Sequence, residues 1–89
     1  MTRDEIRAIV LRALGDVAPE ADPSRLDPQV PLRDQLDLDS MDILNFMTAL
    51  HDALGVDVPE PDYGKLGTVA SAVDYLERAR SRETNDGTT

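Results

Sequence analysis

Apolar residues recur along this chain in three separated blocks of helical spacing. In the first, Ile6, Ile9, Val10, Ala13, Leu14 and Val17 stand at i, i+3, i+4, i+7, i+8 and i+11. That one-sided stripe predicts a helix over about residues 2–16. Thr2 and Glu5 have the capping-box spacing ahead of it, in which each side chain satisfies the other's backbone N–H. The second block predicts a helix from about Ser40 to Leu54, stopped by Gly55. On a wheel of about 100° per residue, Phe46, Leu50, Ile43, Leu54, Met47 and Leu44 form one continuous arc. Asp42, Asn45, Ala49 and Asp52 cover the opposite side. Met41 falls beyond the edge of the arc beside Ser40, where a core helix would prefer a polar residue. In the third block Thr68 caps a helix with Val69, Ala72, Val73 and Leu76 on one face. Arg78, Arg80 and Arg82 are expected in or after its last turn, where cations complement the helix dipole.

The connections differ from one another. Residues 18–38 hold Pro19, Pro23, Pro28 and Pro31, each of which removes a donor and disfavours helix in the residue before it. Leu26, Val30, Leu32, Leu36 and Leu38 nevertheless recur through the same segment. A long loop with that many aliphatic residues is expected to pack over the core. Between the second and third blocks, Val56 and Val58 lead into "EPDYGKL", where Pro61 and Gly64 allow little more than a turn of helix. The expected fold is all-α: a four-helix bundle of three long helices and one short one, with an unusually long first loop. Residues 1–80 form the domain in this reading, and the aperiodic "SRETNDGTT" at 81–89 is expected to be a disordered tail.

At 89 residues the chain is one domain, near the lower end of sizes that fold unaided. It contains no cysteine, so neither disulfides nor Cys-based metal sites can assist. With one Phe, two Tyr and no Trp, the core must come from aliphatic side chains. Nine basic and eighteen acidic residues give a net charge of −9, a field that repels phosphate backbones and excludes nucleic-acid binding. The distribution is uneven: Asp34 to Asp62 contains eight acidic residues and no Lys or Arg. Such a segment is either a solvated surface or a docking face for a basic partner. The longest apolar run, Ala8 to Leu11, is far short of the roughly 20 residues a membrane helix needs. A cytoplasmic monomer is expected.

Several chemistries fail on spacing. A serine nucleophile needs an adjacent base, and the only histidine, His51, lies eleven residues beyond Ser40. On one helix that is about 16 Å along the axis, too far for a hydrogen bond. His51 is expected to be a partly exposed helix residue. Asp37, Asp39 and Asp42 lack the central Gly and closing Glu of an EF-hand calcium loop, so no dedicated metal site is expected. No glycine-rich phosphate loop is present, and a chain of this size and composition is not expected to build a walled cleft. What remains is the hydroxyl in "LDLDSMD". Ser40 as an N-cap contributes about 1 kcal/mol relative to Ala. Asp39 serves equally well as cap, however, which leaves Ser40 either a redundant first-turn residue or a site of covalent modification with apolar Met41 beside it.

"LDLDSMDILNFMTALHDALGVDVPE", followed by a short linker and "TVASAVDYL", resembles the acyl carrier protein family over about residues 32–76. The first helix and the proline-bearing loop agree with it in length and pattern. The resemblance implies that Ser40, within Asp39-Ser40-Met41, carries a 4′-phosphopantetheine arm moved from coenzyme A by a phosphopantetheinyl transferase, with Asp39 recognised by that enzyme. It further implies a carrier and not an enzyme, holding acyl groups as thioesters for loading and processing enzymes with basic docking surfaces. Met41, Asp42, Leu44, Asn45 and Thr48 are the implied partner contacts. Met41 replaces the family's usual leucine, conserving volume. Asp37 stands where the family commonly has glycine, and the second long helix is sparsely acidic, with Asn45, Thr48 and His51 among its polar positions. The sparse acidity of that helix adds weight to a specialised acyl pathway beside fatty-acid or polyketide synthesis. An aminoacyl or peptidyl carrier, or a non-covalent adaptor with unmodified Ser40, are the alternatives. The charge distribution predicts that affinity for any partner enzyme falls steeply between low and high salt. Titration calorimetry at two ionic strengths checks this; a flat response removes the acidic-face argument.

Overall fold

The computed structural model of the chain describes the backbone of residues 1–88 and the side chains of residues 1–80. It is all-helical. The first stripe forms α1, Arg3–Val17, and the capping box is in place: Thr2 Oγ1 accepts from Glu5 N at 3.2 Å, and Thr2 N donates to Glu5 Oε1 at 3.0 Å. Ile6, Val10, Ala13 and Leu14 are buried along one face, flanked by half-buried Ile9 and Val17. α1 packs against both other long helices, so its stripe is the common wall of the bundle.

The first loop is structured, as its aliphatic content predicts, and it holds a helix that the proline pattern concealed. Asp22 caps a 3-10 turn, Pro23–Arg25, through its Oδ1, which accepts from Ser24 N at 3.0 Å. A single turn, α2, Leu32–Gln35, follows Pro31 directly. Proline restricts the residue before it, and a helix beginning just after one escapes that restriction. Gln35 then braces the loop, its Oε1 accepting from Asp27 N at 2.7 Å and its Nε2 donating to the carbonyls of Asp27 and Val30, both at 2.9 Å. Two backbone bonds tie the loop to the segment before the last helix, Leu32 N to Gly67 O at 2.7 Å and Ala70 N to Pro28 O at 3.0 Å. Leu32 and Leu36 are buried, while Leu26 and Leu38 lean half-buried on the core.

The second block is α3, Ser40–Leu54, ended by Gly55 at φ 70°, a left-handed C-cap that glycine adopts without a Cβ penalty. Phe46, Met47, Leu50 and Leu54 face the core. The expected arc is narrower than six residues, because Leu44 is 46% exposed and Ile43 only half-buried. The surface that α1 offers to α3 is one stripe wide, and the edge of the arc passes beyond it. Ala49, placed on the polar side by the wheel, leans on the core instead.

Glu60–Leu66 is a seven-residue 3-10 segment, longer than the single turn expected. It is held by Tyr75 Oη donating to Asp62 Oδ2 at 2.7 Å and by burial of Leu66. Thr68 caps α4, Val69–Thr88, by accepting from Ser71 N at 2.9 Å, and Val69, Ala72, Val73 and Leu76 are buried as the pattern predicts. The backbone of α4 continues past the expected domain boundary at residue 80; the side chains of the expected tail, 81–89, lie outside the described residues. Arg78 and Arg80 are therefore mid-helix and do not serve the α4 dipole. Arg80 instead donates from Nη1 to Leu54 O at 3.2 Å, capping the end of α3.

Among the described residues no polar or charged side chain is buried, and no helix is long and apolar enough to cross a membrane. Ion pairs such as Arg3–Asp74 at 2.6 Å are about half exposed and contribute little. Stability therefore rests on aliphatic packing. Leu50→Ala, at a fully buried position, is expected to cost about 2–5 kcal/mol. Leu44→Ala is expected to cost about 0.5 kcal/mol. Urea unfolding of the two variants checks the contrast.

Candidate functional site

The site is built on the way the chain enters α3. Leu36 is buried, Leu38 is half-buried, and Leu38 N donates to Leu36 O at 3.0 Å, so the approach is anchored from beneath. Asp39 is the N-cap. Its Oδ1 accepts from Asp42 N at 2.8 Å, and Asp42 Oδ2 accepts from Asp39 N at 3.3 Å. An aspartate pair thus forms a reciprocal capping box, the arrangement usually made by Ser or Thr with Glu. Both carboxylates also lie at the positive end of the helix dipole.

The choice of cap decides the role of Ser40. It is the first residue of α3, exposed, and its hydroxyl makes no hydrogen bond to any described residue. The capping box consumes the N–H of Asp42; those of Ser40 itself and of the next residue, Met41, have no partner within the helix. An anion attached at Ser40 Oγ would meet free N–H donors and the favourable dipole end. A phosphodiester fits here on that ground.

His51 is no base for this hydroxyl. It stands in the last turn of α3, with Nδ1 3.0 Å from Asp57 Oδ1 and 3.3 Å from Val56 O. No three His, Cys, Asp or Glu side chains converge as a metal cluster among the described residues.

Beside Ser40 the surface becomes apolar. Met41 is 61% exposed and Leu44 46%. Positions 40, 41, 44, 45 and 48 are related by three- and four-residue steps, so Ser40, Met41, Leu44, Asn45 and Thr48 share one exposed helix face. Thr48 donates its hydroxyl back to Leu44 O at 3.0 Å, which commits its one proton to the helix. Asp42, half-buried and engaged with Asp39, borders the patch and is less available than the sequence suggested.

A feature that sequence reasoning excluded lies next to this face. A cleft of about 350 Å³ opens between α2, α3 and the 3-10 segment, its walls mainly Leu38, Ile43, Phe46, Met47, Tyr63 and Leu66. That volume is at the lower end of ligand pockets. Helices of this length alone could not enclose it; the walls come from α2 and the long 3-10 segment, the two elements that periodicity under-read. Apolar Leu38 and Ile43 on either side of Ser40 were the available signal, since apolar residues at the margin of a stripe need a second surface to lie against.

Residues 4–76 match the family model for a phosphopantetheine attachment site. An acyl carrier protein from Zymomonas mobilis is 30% identical over 80 residues, which span 90% of this chain and 96% of that protein. One from Rubrobacter xylanophilus is 32% identical over 76 residues, 85% of this chain and 93% of the relative. The solved structure of the acyl carrier protein from Enterococcus faecalis superposes with a TM-score of 0.74 at 28% identity, covering 89% of this chain and 99% of that one.

The capping geometry gives a sharp contrast between neighbours. Asp39→Ala is expected to cost about 1 kcal/mol of stability. Ser40→Ala, which removes no cap, is expected to fall within about 0.5 kcal/mol of the parent. Urea denaturation midpoints of the pair check it, and the reverse order would make Ser40 the working cap.

Proposed function

The chain belongs to the acyl carrier protein family, and on that footing we propose that Ser40 Oγ is the attachment point of a covalent 4′-phosphopantetheine arm. The observation that carries the proposal is the division of labour at the head of α3. Asp39 and Asp42 complete the cap, and the Ser40 hydroxyl is left exposed and unbonded. When attached, the arm supplies a thiol on which an acyl group is held as a thioester.

The chain's own residues prepare and present the site but do not perform the transfer. Among the described residues no side chain accepts a hydrogen bond from the Ser40 hydroxyl, and on this reading its proton is taken by an external phosphopantetheinyl transferase, of which the chain is the substrate. Asp39 is fixed by its bond to Asp42 N and offers the transferase a carboxylate in a constant position. The free first-turn N–H groups stabilise the phosphodiester charge. Met41 and Leu44, with Asn45 and Thr48, form the apolar-centred patch that partner enzymes grip. Asp42 and the acidic segment through Asp62 steer partners with basic surfaces, giving fast and salt-sensitive encounters.

The cleft supports an acyl cargo over an aminoacyl one. Its lining is mainly aliphatic and aromatic, and each methylene it covers contributes about 0.8 kcal/mol, whereas an ammonium group there would lose hydration without a carboxylate to replace it. The few acidic positions on α3 favour a specialised acyl pathway; a cytoplasmic monomer remains the expected setting.

Incubation of the apo-protein with coenzyme A and a promiscuous phosphopantetheinyl transferase is expected to add one phosphopantetheine to the intact mass, and none to Ser40→Ala. Absence of the increase in the folded parent with two transferases of different specificity overturns the proposal in favour of a non-covalent adaptor.

A further inference from the structure

Gln35 ends α2, five positions before Ser40. Its side chain closes the loop on Asp27, eight residues back, at two points. Asp27 N donates to Gln35 Oε1 at 2.7 Å, and Gln35 Nε2 donates to Asp27 O at 2.9 Å. The second proton of Nε2 goes to Val30 O, also at 2.9 Å. The carboxamide oxygen and both its N–H protons are thus engaged at a half-buried position, where water replaces a lost bond only in part. The residue type matters. A carboxamide accepts from one N–H while donating to two carbonyls; an ionised carboxylate can only accept, and an ammonium can only donate.

This clamp holds the approach to Ser40. Leu36, next in the chain, is buried, and its N–H closes α2 on Leu32 O at 2.7 Å. Between Leu36 and the Asp39 cap the one backbone hydrogen bond is Leu38 N to Leu36 O, and Asp37 makes none among the described residues. The span from Asp37 to Ser40 is therefore held from its ends, by Gln35 and Leu36 on the loop side and by the Asp39–Asp42 box on the helix side. Asp34, Asp37, Asp39 and Asp42 crowd this span, with no Lys or Arg from Asp34 to Asp62. Repulsion among like charges favours its opening, so a restraint is needed, and a neutral one adds no further charge.

We infer that Gln35 is a positioning residue for the modification of Ser40, its carboxamide holding the loop so that residues 37–40 meet the transferase in one conformation. The inference rests on the carrier reading and adds to it a residue whose hydrogen bonds all go to the loop. Without the clamp, the presented conformation is one of several, and apparent affinity for the transferase falls with the fraction that stays competent. Once bound, the hydroxyl and its surroundings are the same. The effect therefore falls on KM and not on kcat.

The test measures loading of the full chain by a promiscuous phosphopantetheinyl transferase at saturating coenzyme A, over a range of carrier concentrations, with conversion read from intact mass. Gln35→Glu keeps the bond from Asp27 N but turns an oxygen toward two carbonyls. Gln35→Met keeps the length and removes all three bonds. Ala72→Gly, inside α4, is a destabilised control, with urea midpoints matching it to the Gln35 variants. KM is expected to rise roughly three- to tenfold in both Gln35 variants, the effect of about one hydrogen bond, with kcat within about twofold of the parent. The amide NMR signals of Asp37, Leu38 and Asp39 should broaden or multiply in those variants alone, and the control should match the parent throughout. An equal rise in the control makes Gln35 a stabilising residue only and overturns the inference. So does an unchanged KM in both Gln35 variants, or a fall in kcat alone. Each of these outcomes is measured beside a parent that loads, and leaves the carrier reading intact. A folded parent that takes up no phosphopantetheine overturns that reading, and the inference with it.

Discussion

The apolar stripe of α1 is the constraint on which the rest of the molecule depends. Ile6, Val10, Ala13 and Leu14 are almost wholly removed from water, and α1 alone packs against both α3 and α4. The chain has no cysteine, and among the described residues no polar side chain is buried to share this task. A chain of this size buries a smaller fraction of its surface than larger domains do, so each aliphatic position on the stripe carries a large share of the folding free energy. The narrowness of the stripe also has an outward consequence. Because α1 covers only part of α3, the arc that α3 presents is wider than the surface that receives it, and Leu44 is left facing solvent beside Met41, which lies beyond the arc. The same geometry that limits the core produces the patch next to Ser40.

At the head of α3 two needs compete for one place. The helix requires an N-cap, and the modification proposed for Ser40 requires an exposed hydroxyl within the first turn. Had serine been the cap, its oxygen would be occupied by a backbone N–H. The Asp39–Asp42 box resolves the conflict by giving the capping role to carboxylates, which the helix dipole also favours. The cap keeps the turn rigid while the neighbouring hydroxyl stays open. Anchoring by Leu36 and Leu38 from the loop side completes the arrangement, so that an external enzyme meets a preformed surface and spends little on ordering it.

The long first loop is better understood as a fourth wall than as a connection. Gln35 gathers its backbone groups through three hydrogen bonds, and the bonds between Leu32 and Gly67 and between Pro28 and Ala70 fasten it to the approach to α4. With α2 and the 3-10 segment thus held on the flanks of α3, a cleft forms where three helices alone would leave a shallow groove.

What the sequence determined by itself was everything set by short-range repetition and local hydrogen bonding. The stripes of α1, α3 and α4 were legible because a helix brings positions three and four apart onto one side. The Thr2 and Thr68 caps, the Gly55 stop and the position of Ser40 were legible because a cap involves residues two or three apart. The family resemblance added the chemistry proposed for Ser40, which spacing alone left open between a spare cap and a modified residue. The tertiary structure decided what depends on distant neighbours: that Leu44 lies outside the core, that Arg80 caps α3 rather than its own helix, and that α2 and the 3-10 segment wall a cleft. These could not be read along the chain, because exposure and enclosure are properties of what packs from elsewhere, and periodicity records only which residues of one helix share a side.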